Sequence, residues 1–80
     1  MPVQFVKPHE LNKDDNISFY YHGEFRSGVV LDMLGPADSD SHRIFLRYNE
    51  PQFDAKRDKY LEKAQFSIGK IEGRITRINP

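Results

Sequence analysis

Apolar and polar residues alternate along much of this chain with the period of two that is typical of half-buried β-strands. The first clear example is "ISFYY", in which Ile17, Phe19 and Tyr21 alternate with Ser18 and Tyr20. "HGE" follows, and its glycine can adopt the positive φ that a tight hairpin demands. The pattern predicts a strand that begins at residue 17 and a hairpin that leads into a second strand.

The second predicted strand is "FRSGVVLDML", residues 25–34, which is apolar and β-branched in its middle. Uninterrupted alternation would place Val29, Leu31 and Met33 on one face. Gly28 inside the strand indicates a bulge or a sharp bend. The hairpin residues predicted to serve the core are Phe19, Tyr21, Val29 and Leu31.

A third strand is predicted at "HRIFLRY", after a loop of the composition "GPADSDS". Ile44, Leu46 and Tyr48 share one face of it. The residues on the opposite face are Arg43, Phe45 and Arg47. The chain closes with "QFSIGKIEGRITRI", a run of isoleucines interrupted by two glycines.

Residues 54–64 leave two structures open. Asp54 could cap a short helix, whose apolar side would consist of Tyr60 and Leu61. The same residues could instead form a long polar hairpin loop with a returning strand. The thin apolar stripe slightly favours the hairpin.

Eighty residues are enough for one domain. About five short strands, glycine bends and little helix predict a mainly β fold, a small SH3-like or Sm-like β-barrel. We expect residues 1–16 to form an N-terminal arm with one helical turn after Pro8, and residues 17–80 to form the barrel. An OB-fold is the main competitor, but it usually needs a longer chain.

Composition narrows the range of functions. The chain has no cysteine, which excludes disulfides and thiolate zinc sites, and its three histidines are widely spaced, so we expect no metal and no cofactor. No apolar run approaches the length of a membrane span. The serines lack a nucleophile-elbow context, so no catalytic residues and no enzymatic activity are expected. We expect a cytoplasmic protein without membrane contact.

Charge is distributed unevenly along the chain, although Lys plus Arg and Asp plus Glu both number 12. Residues 1–40 carry three basic and seven acidic side chains, a net of −4, and residues 41–80 carry nine and five, a net of +4. This asymmetry allows a basic surface on one part of a neutral protein. Arg43, Phe45 and Arg47 are its candidates, because an exposed aromatic ring flanked by arginines suits base stacking and phosphate contact. The cations that could extend this surface are Lys56, Arg57, Lys59, Lys63, Lys70, Arg74 and Arg77.

The segments "ISFYYHGEFRSGVV", "RIFLRY" and "AQFSIGKIEG" together resemble the WYL domain family. Ile44-Phe45-Leu46 stands where that family has Trp-Tyr-Leu, so neither Trp nor Tyr is present in the tripeptide. The resemblance implies an Sm-like or SH3-like barrel that usually accompanies a DNA-binding helix-turn-helix and senses nucleic acid or another ligand. It also implies that Arg26 and Lys70 are basic ligand contacts. A regulatory or accessory binding module is the function it suggests.

A weaker likeness connects "YYHGEFRSGVVLDM" and "HRIFLRYNE" to Tudor-like SH3 barrels. That likeness implies an aromatic cage for methylated lysine or arginine, to which Tyr20, Tyr21 and Tyr48 would contribute, with Glu50 as the acidic member.

The alternative function is a small adaptor or inhibitor that binds a protein, of the kind that phages and mobile elements use to modulate host machinery. The residues that would serve such an interface are Tyr20, Phe25, Phe53, Asp38 and Asp40. Exposed edge strands in so small a domain also allow a homodimer.

Overall fold

Six antiparallel strands form one sheet in the computed structural model, which describes residues 3–35 and 42–78. The strands are β1 (Val3–Val6), β2 (Asn16–Tyr21), β3 (Glu24–Leu34), β4 (Arg43–Asp54), β5 (Lys59–Ser67) and β6 (Ile71–Ile78). Their order in the sheet is β1-β6-β2-β3-β4-β5. Helical structure in the described ranges is limited to 3₁₀ turns at Pro8–Glu10 and Ile68–Lys70, and no helix there could cross a membrane. The prediction of a mainly β domain is confirmed.

The sheet curls strongly around its core. The ring of Phe66 on β5 lies 5.2 Å from that of Phe19 and 5.0 Å from that of Tyr21, both on β2. In a flat sheet, three strand spacings would separate β2 from β5 by about 14 Å. A three-residue turn joins β5 to β6, and the amide of Ile68 in this turn donates to the carbonyl oxygen of His42 at 3.0 Å. The curvature therefore brings side chains from distant strands into one core.

The core lies on the concave face and consists of alternating strand residues together with Leu11, which lies outside the strands. Its buried hydrophobic side chains are Val6, Leu11, Ile17, Phe19, Val30, Ile44, Leu46, Phe66 and Ile75. Burial of Phe19, and of Ile44 with Leu46, follows the alternation that the sequence predicts.

On β3 the predicted core positions Val29 and Leu31 are wrong, whereas Met33, predicted on the same face, packs against the core. Val30 is fully buried, whereas Val29 and Leu31 are only partly buried and lie outside the core cluster. Val30 pairs with Leu46 and Asp32 with Phe45, so Leu31 is an additional residue on β3. Because of this bulge, Val30 and Met33 both face the core although they are three residues apart, which uninterrupted alternation could not predict.

The N-terminal segment belongs to the sheet, which explains why there are six strands rather than about five. β1 pairs with β6, and Leu11 is buried in the core. The guanidinium of Arg77 on β6 holds the N-terminal segment against the sheet through hydrogen bonds. It donates to the side chain of Gln4 at 2.7 Å, to the carbonyl oxygen of Glu10 at 3.2 Å and to the carboxylate of Asp15 at 3.3 Å. The helical turn predicted after Pro8 is present.

Residues 54–64 form a hairpin and not a helix. Asp54 at the end of β4 pairs with Lys59 at the start of β5. The carboxylate of Asp54 accepts a hydrogen bond from the amide of Lys56 at 2.9 Å, which stabilises a turn. Asp58 has a positive φ of 51°, as hairpin turns often require. The polar residue that could have capped a helix therefore stabilises a turn between strands.

Candidate functional site

The outer face of β4 carries the predicted basic and aromatic residues. Ile44 and Leu46 are fully buried, so the side chains between and beside them point away from the core. Arg43 and Arg47 are exposed, and Phe45 between them is half-buried. The structure therefore places these three predicted site residues on one surface.

Lys63 joins this surface from the neighbouring strand. It lies directly opposite Arg47 in the pairing of β4 with β5, which is an edge strand. Like charges in directly opposed positions destabilise a sheet, so this pair concentrates positive charge at a cost to folding. We call Arg43, Phe45, Arg47 and Lys63 the basic strip. The sequence predicts Lys63 only as one of seven cations that could extend this surface, since its exact position depends on strand register.

No member of the basic strip takes part in an ion pair among the described residues. The ion pairs there join Arg26 to Glu24, Arg57 to Asp54 and Arg77 to Asp15, and none includes a member of the strip. Asp32 is the partner of Phe45 on β3, and its carboxylate accepts the amide of Met33 at 2.8 Å.

Arg26 and Lys70, the contacts implied by the family resemblance, do not join the basic strip. Arg26 lies on the core side of β3, where it bonds to Glu24 and donates to the side chain of Gln52 at 3.2 Å. Its guanidinium also lies 6.0 Å from the ring centre of Tyr48. Lys70 is exposed in the turn between β5 and β6.

Burial raises the pKa of the Tyr48 hydroxyl above its ordinary value, and the charge of Arg26 opposes this shift only in part. Because the folded pKa is raised, the contribution of Tyr48 to stability is fully present below the unfolded pKa of about 10 and is lost as pH rises through the folded pKa. Tyr48→Phe should therefore reduce the loss of stability between about pH 8 and about pH 11. Urea denaturation at both pH values measures this loss of stability in the variant and in the wild type.

Tyr60→Phe is the matched control, because it removes a hydroxyl from a side chain that is 69% exposed. This variant should lose as much stability as the wild type over the same pH interval. Equal losses for all three proteins would contradict the buried environment assigned to Tyr48.

The aromatic residues of the predicted protein interface form exposed pairs. The rings of Tyr20 and Phe25 lie 5.6 Å apart, and those of Phe53 and Tyr60 lie 5.3 Å apart, both pairs edge to face. All four side chains are more than half exposed. The other two predicted members, Asp38 and Asp40, lie outside the described residues.

The three tyrosines of the Tudor-like cage do not come together. Tyr20 lies on the outer face, whereas Tyr21 and Tyr48 both pack against Phe66 at the core. Alternation along β2 accounts for the separation, because neighbouring residues of a strand point to opposite faces. The predicted cage is therefore wrong.

No protein-family model, curated protein or solved structure matches this chain. The resemblance to the WYL family stays a prediction based on the residues quoted above.

Proposed function

We propose that this protein is a non-enzymatic, regulatory or accessory module that binds nucleic acid through the basic strip. The observation that carries the proposal is the exposed, directly opposed pair of Arg47 and Lys63 next to Phe45. A folded domain gains nothing from such repulsion, but a phosphate between the two cations would relieve it. Phe45 offers a surface for base contact, and Arg43 a further phosphate contact.

We also propose that the curved sheet is a small SH3-like or Sm-like barrel of the WYL kind. The order β6-β2-β3-β4-β5, with a 3₁₀ turn between β5 and β6, supports this assignment. The contacts of Phe66 with β2 support it too, since they require the sheet to fold over on itself. The lack of cysteine fits the cytoplasmic location that we propose.

Binding through so few cations should be weak and strongly dependent on salt. Three basic side chains can neutralise up to three phosphates, and each contact with a single strand adds about 0.7 to the slope of log affinity against log salt. Micromolar affinity at low salt, falling steeply as salt is added, is the expected behaviour. Fluorescence anisotropy with short labelled single- and double-stranded DNA and RNA measures it.

Replacing both Arg43 and Arg47 with alanine should abolish binding, or leave a residual affinity whose salt slope is lower by about 1.4. Both side chains are exposed and lie outside the described ion pairs, so the melting temperature should not fall, and relief of the repulsion between Arg47 and Lys63 should raise it slightly. Anisotropy titrations and thermal melting of the same preparation test both parts.

The matched control is Lys7→Ala combined with Lys13→Ala, which removes two exposed cations from the N-terminal segment. It alters the net charge equally but should retain most of the binding. If both double variants weaken binding to the same degree, net charge is responsible and the basic strip is not the site. Unfolding of the arginine variant would show instead that these side chains are structural.

A protein partner is the second candidate, favoured by the exposed pairs Tyr20–Phe25 and Phe53–Tyr60. Aromatic side chains are enriched at protein interfaces. Such binding would be nearly indifferent to salt, so the salt series separates the two functions. If the protein fails to bind any nucleic acid at low salt, this second function becomes the better proposal.

A further inference from the structure

A cleft of about 360 Å³ opens where β3 and β4 lie side by side, lined by Phe25, Ser27, Asn49, Glu50 and Gln52. Pairing of β4 with β5 stops after Arg47 and resumes at Gln52, which leaves residues 48–51 without partners on β5. Pro51 suits this interruption because it has no amide hydrogen to donate. The cleft begins two residues beyond Arg47 and is therefore continuous with the basic strip.

The amide side chains of the cleft are held in defined orientations. The Asn49 side-chain amide donates to Ser27 Oγ at 2.6 Å and to Asn16 Oδ1 at 3.1 Å. Both of its N–H donors are used, so its carbonyl oxygen is left as an acceptor. Gln52 accepts from Arg26 at 3.2 Å and donates to the backbone carbonyl of Glu50 at 3.1 Å.

The Glu50 carboxylate supplies further acceptors. It is exposed, and none of the hydrogen bonds or ion pairs among the described residues uses it. Phe25 provides an aromatic surface that is 54% exposed and is supported on one side by the edge-to-face contact with Tyr20. The cleft thus combines a stacking surface with one oriented acceptor, the Asn49 carbonyl oxygen, and the unbonded carboxylate of Glu50.

We infer that this cleft binds one unpaired guanine of a nucleic-acid strand, an inference that rests on the proposed function. The Watson–Crick edge of guanine presents two adjacent donor groups, N1–H and N2–H₂, which a carboxylate can accept side by side. Glu50 accepts these donors while the base stacks on Phe25. Thymine and uracil present one donor between two acceptors. Their two acceptors would face the acceptors of the cleft and could not form hydrogen bonds with them.

The distance between the cleft and the basic strip suits single-stranded nucleic acid. Glu50 follows Arg47 by three residues, about 10 Å along an extended chain. One nucleic-acid strand can therefore place a phosphate on Arg47 and a neighbouring base in the cleft. A base in a duplex has its Watson–Crick edge occupied, so the cleft selects unpaired nucleotides.

The test is fluorescence anisotropy at low salt with single-stranded thymidine heptanucleotides in which only the central base differs. A central guanine should bind about tenfold more tightly than a central thymine, as one good bidentate contact allows. Hypoxanthine in place of guanine lacks the N2 amino group and should lose most of that gain. Adenine, with a single amino donor on this edge, should bind no more tightly than hypoxanthine.

Glu50→Gln should abolish the preference for guanine, so that the strands with central guanine and central thymine bind with equal affinity. Glu62→Gln on β5 is the matched control and should keep the tenfold ratio. Equal binding of all four strands by the wild type would overturn the guanine cleft and leave the basic strip as the site. Failure of every strand to bind at low salt would overturn the proposed function together with this inference.

Discussion

Replacing Phe66 with alanine is expected to lower the free energy of unfolding by about 3–5 kcal/mol. Phe66 is only 5% exposed, and its ring packs edge to face against Phe19, Tyr21 and Tyr48 at 5.2, 5.0 and 6.1 Å. The substitution removes three aromatic contacts and leaves a cavity that neighbouring strands can fill only in part. Phe66 also joins β5 to β2 across the core, so the curvature of the sheet depends on it.

Urea denaturation followed by circular dichroism measures the effect, and Phe53→Ala is the matched control. Phe53→Ala removes the same atoms from a side chain that is 53% exposed. It should therefore lower the free energy of unfolding by less than about 1 kcal/mol. A domain of this length has a total stability of about 4–12 kcal/mol, so the Phe66 variant should be largely unfolded at modest urea concentrations. Equal effects of the two substitutions would contradict the core described above.

Gly28→Ala should destabilise the fold by about 3 kcal/mol or more. A β-carbon at this buried position would lie 2.1 Å from the carbonyl oxygen of Arg47 and 2.8 Å from its carbonyl carbon. Both atoms belong to the backbone, so a change of rotamer cannot relieve the clash. The backbones of β3 and β4 would have to separate and lose part of their pairing.

Gly69→Ala provides the control, since a β-carbon there would have no heavy atom within 4 Å. Its effect should remain within about 0.5 kcal/mol. Denaturation midpoints of the two glycine variants and the wild type check the comparison. If Gly28→Ala kept the wild-type midpoint, the close approach of β3 to β4 would be disproved.

What the sequence determined is the structure within single strands. Ile17 and Phe19 on β2, and Ile44 and Leu46 on β4, point inward as their alternation predicts. A strand that buries one face must expose the other, so Arg43, Phe45 and Arg47 necessarily share the outer face once Ile44 and Leu46 are buried. This part of the candidate site required no knowledge of the neighbouring strands.

The tertiary structure alone decided everything that depends on strand register. Lys63 faces Arg47 because of the way β5 pairs with β4, and the guanine cleft exists because that pairing is interrupted before Gln52. The bulge at Leu31 reversed the faces of the part of β3 that precedes it, which made Val30 rather than Val29 the core residue. The alternation of residues within a strand does not depend on which residue of the neighbouring strand lies opposite. A shift of the pairing register by one residue leaves the period of two unchanged. Register and bulges arise from packing between residues far apart in the chain, which local periodicity does not report.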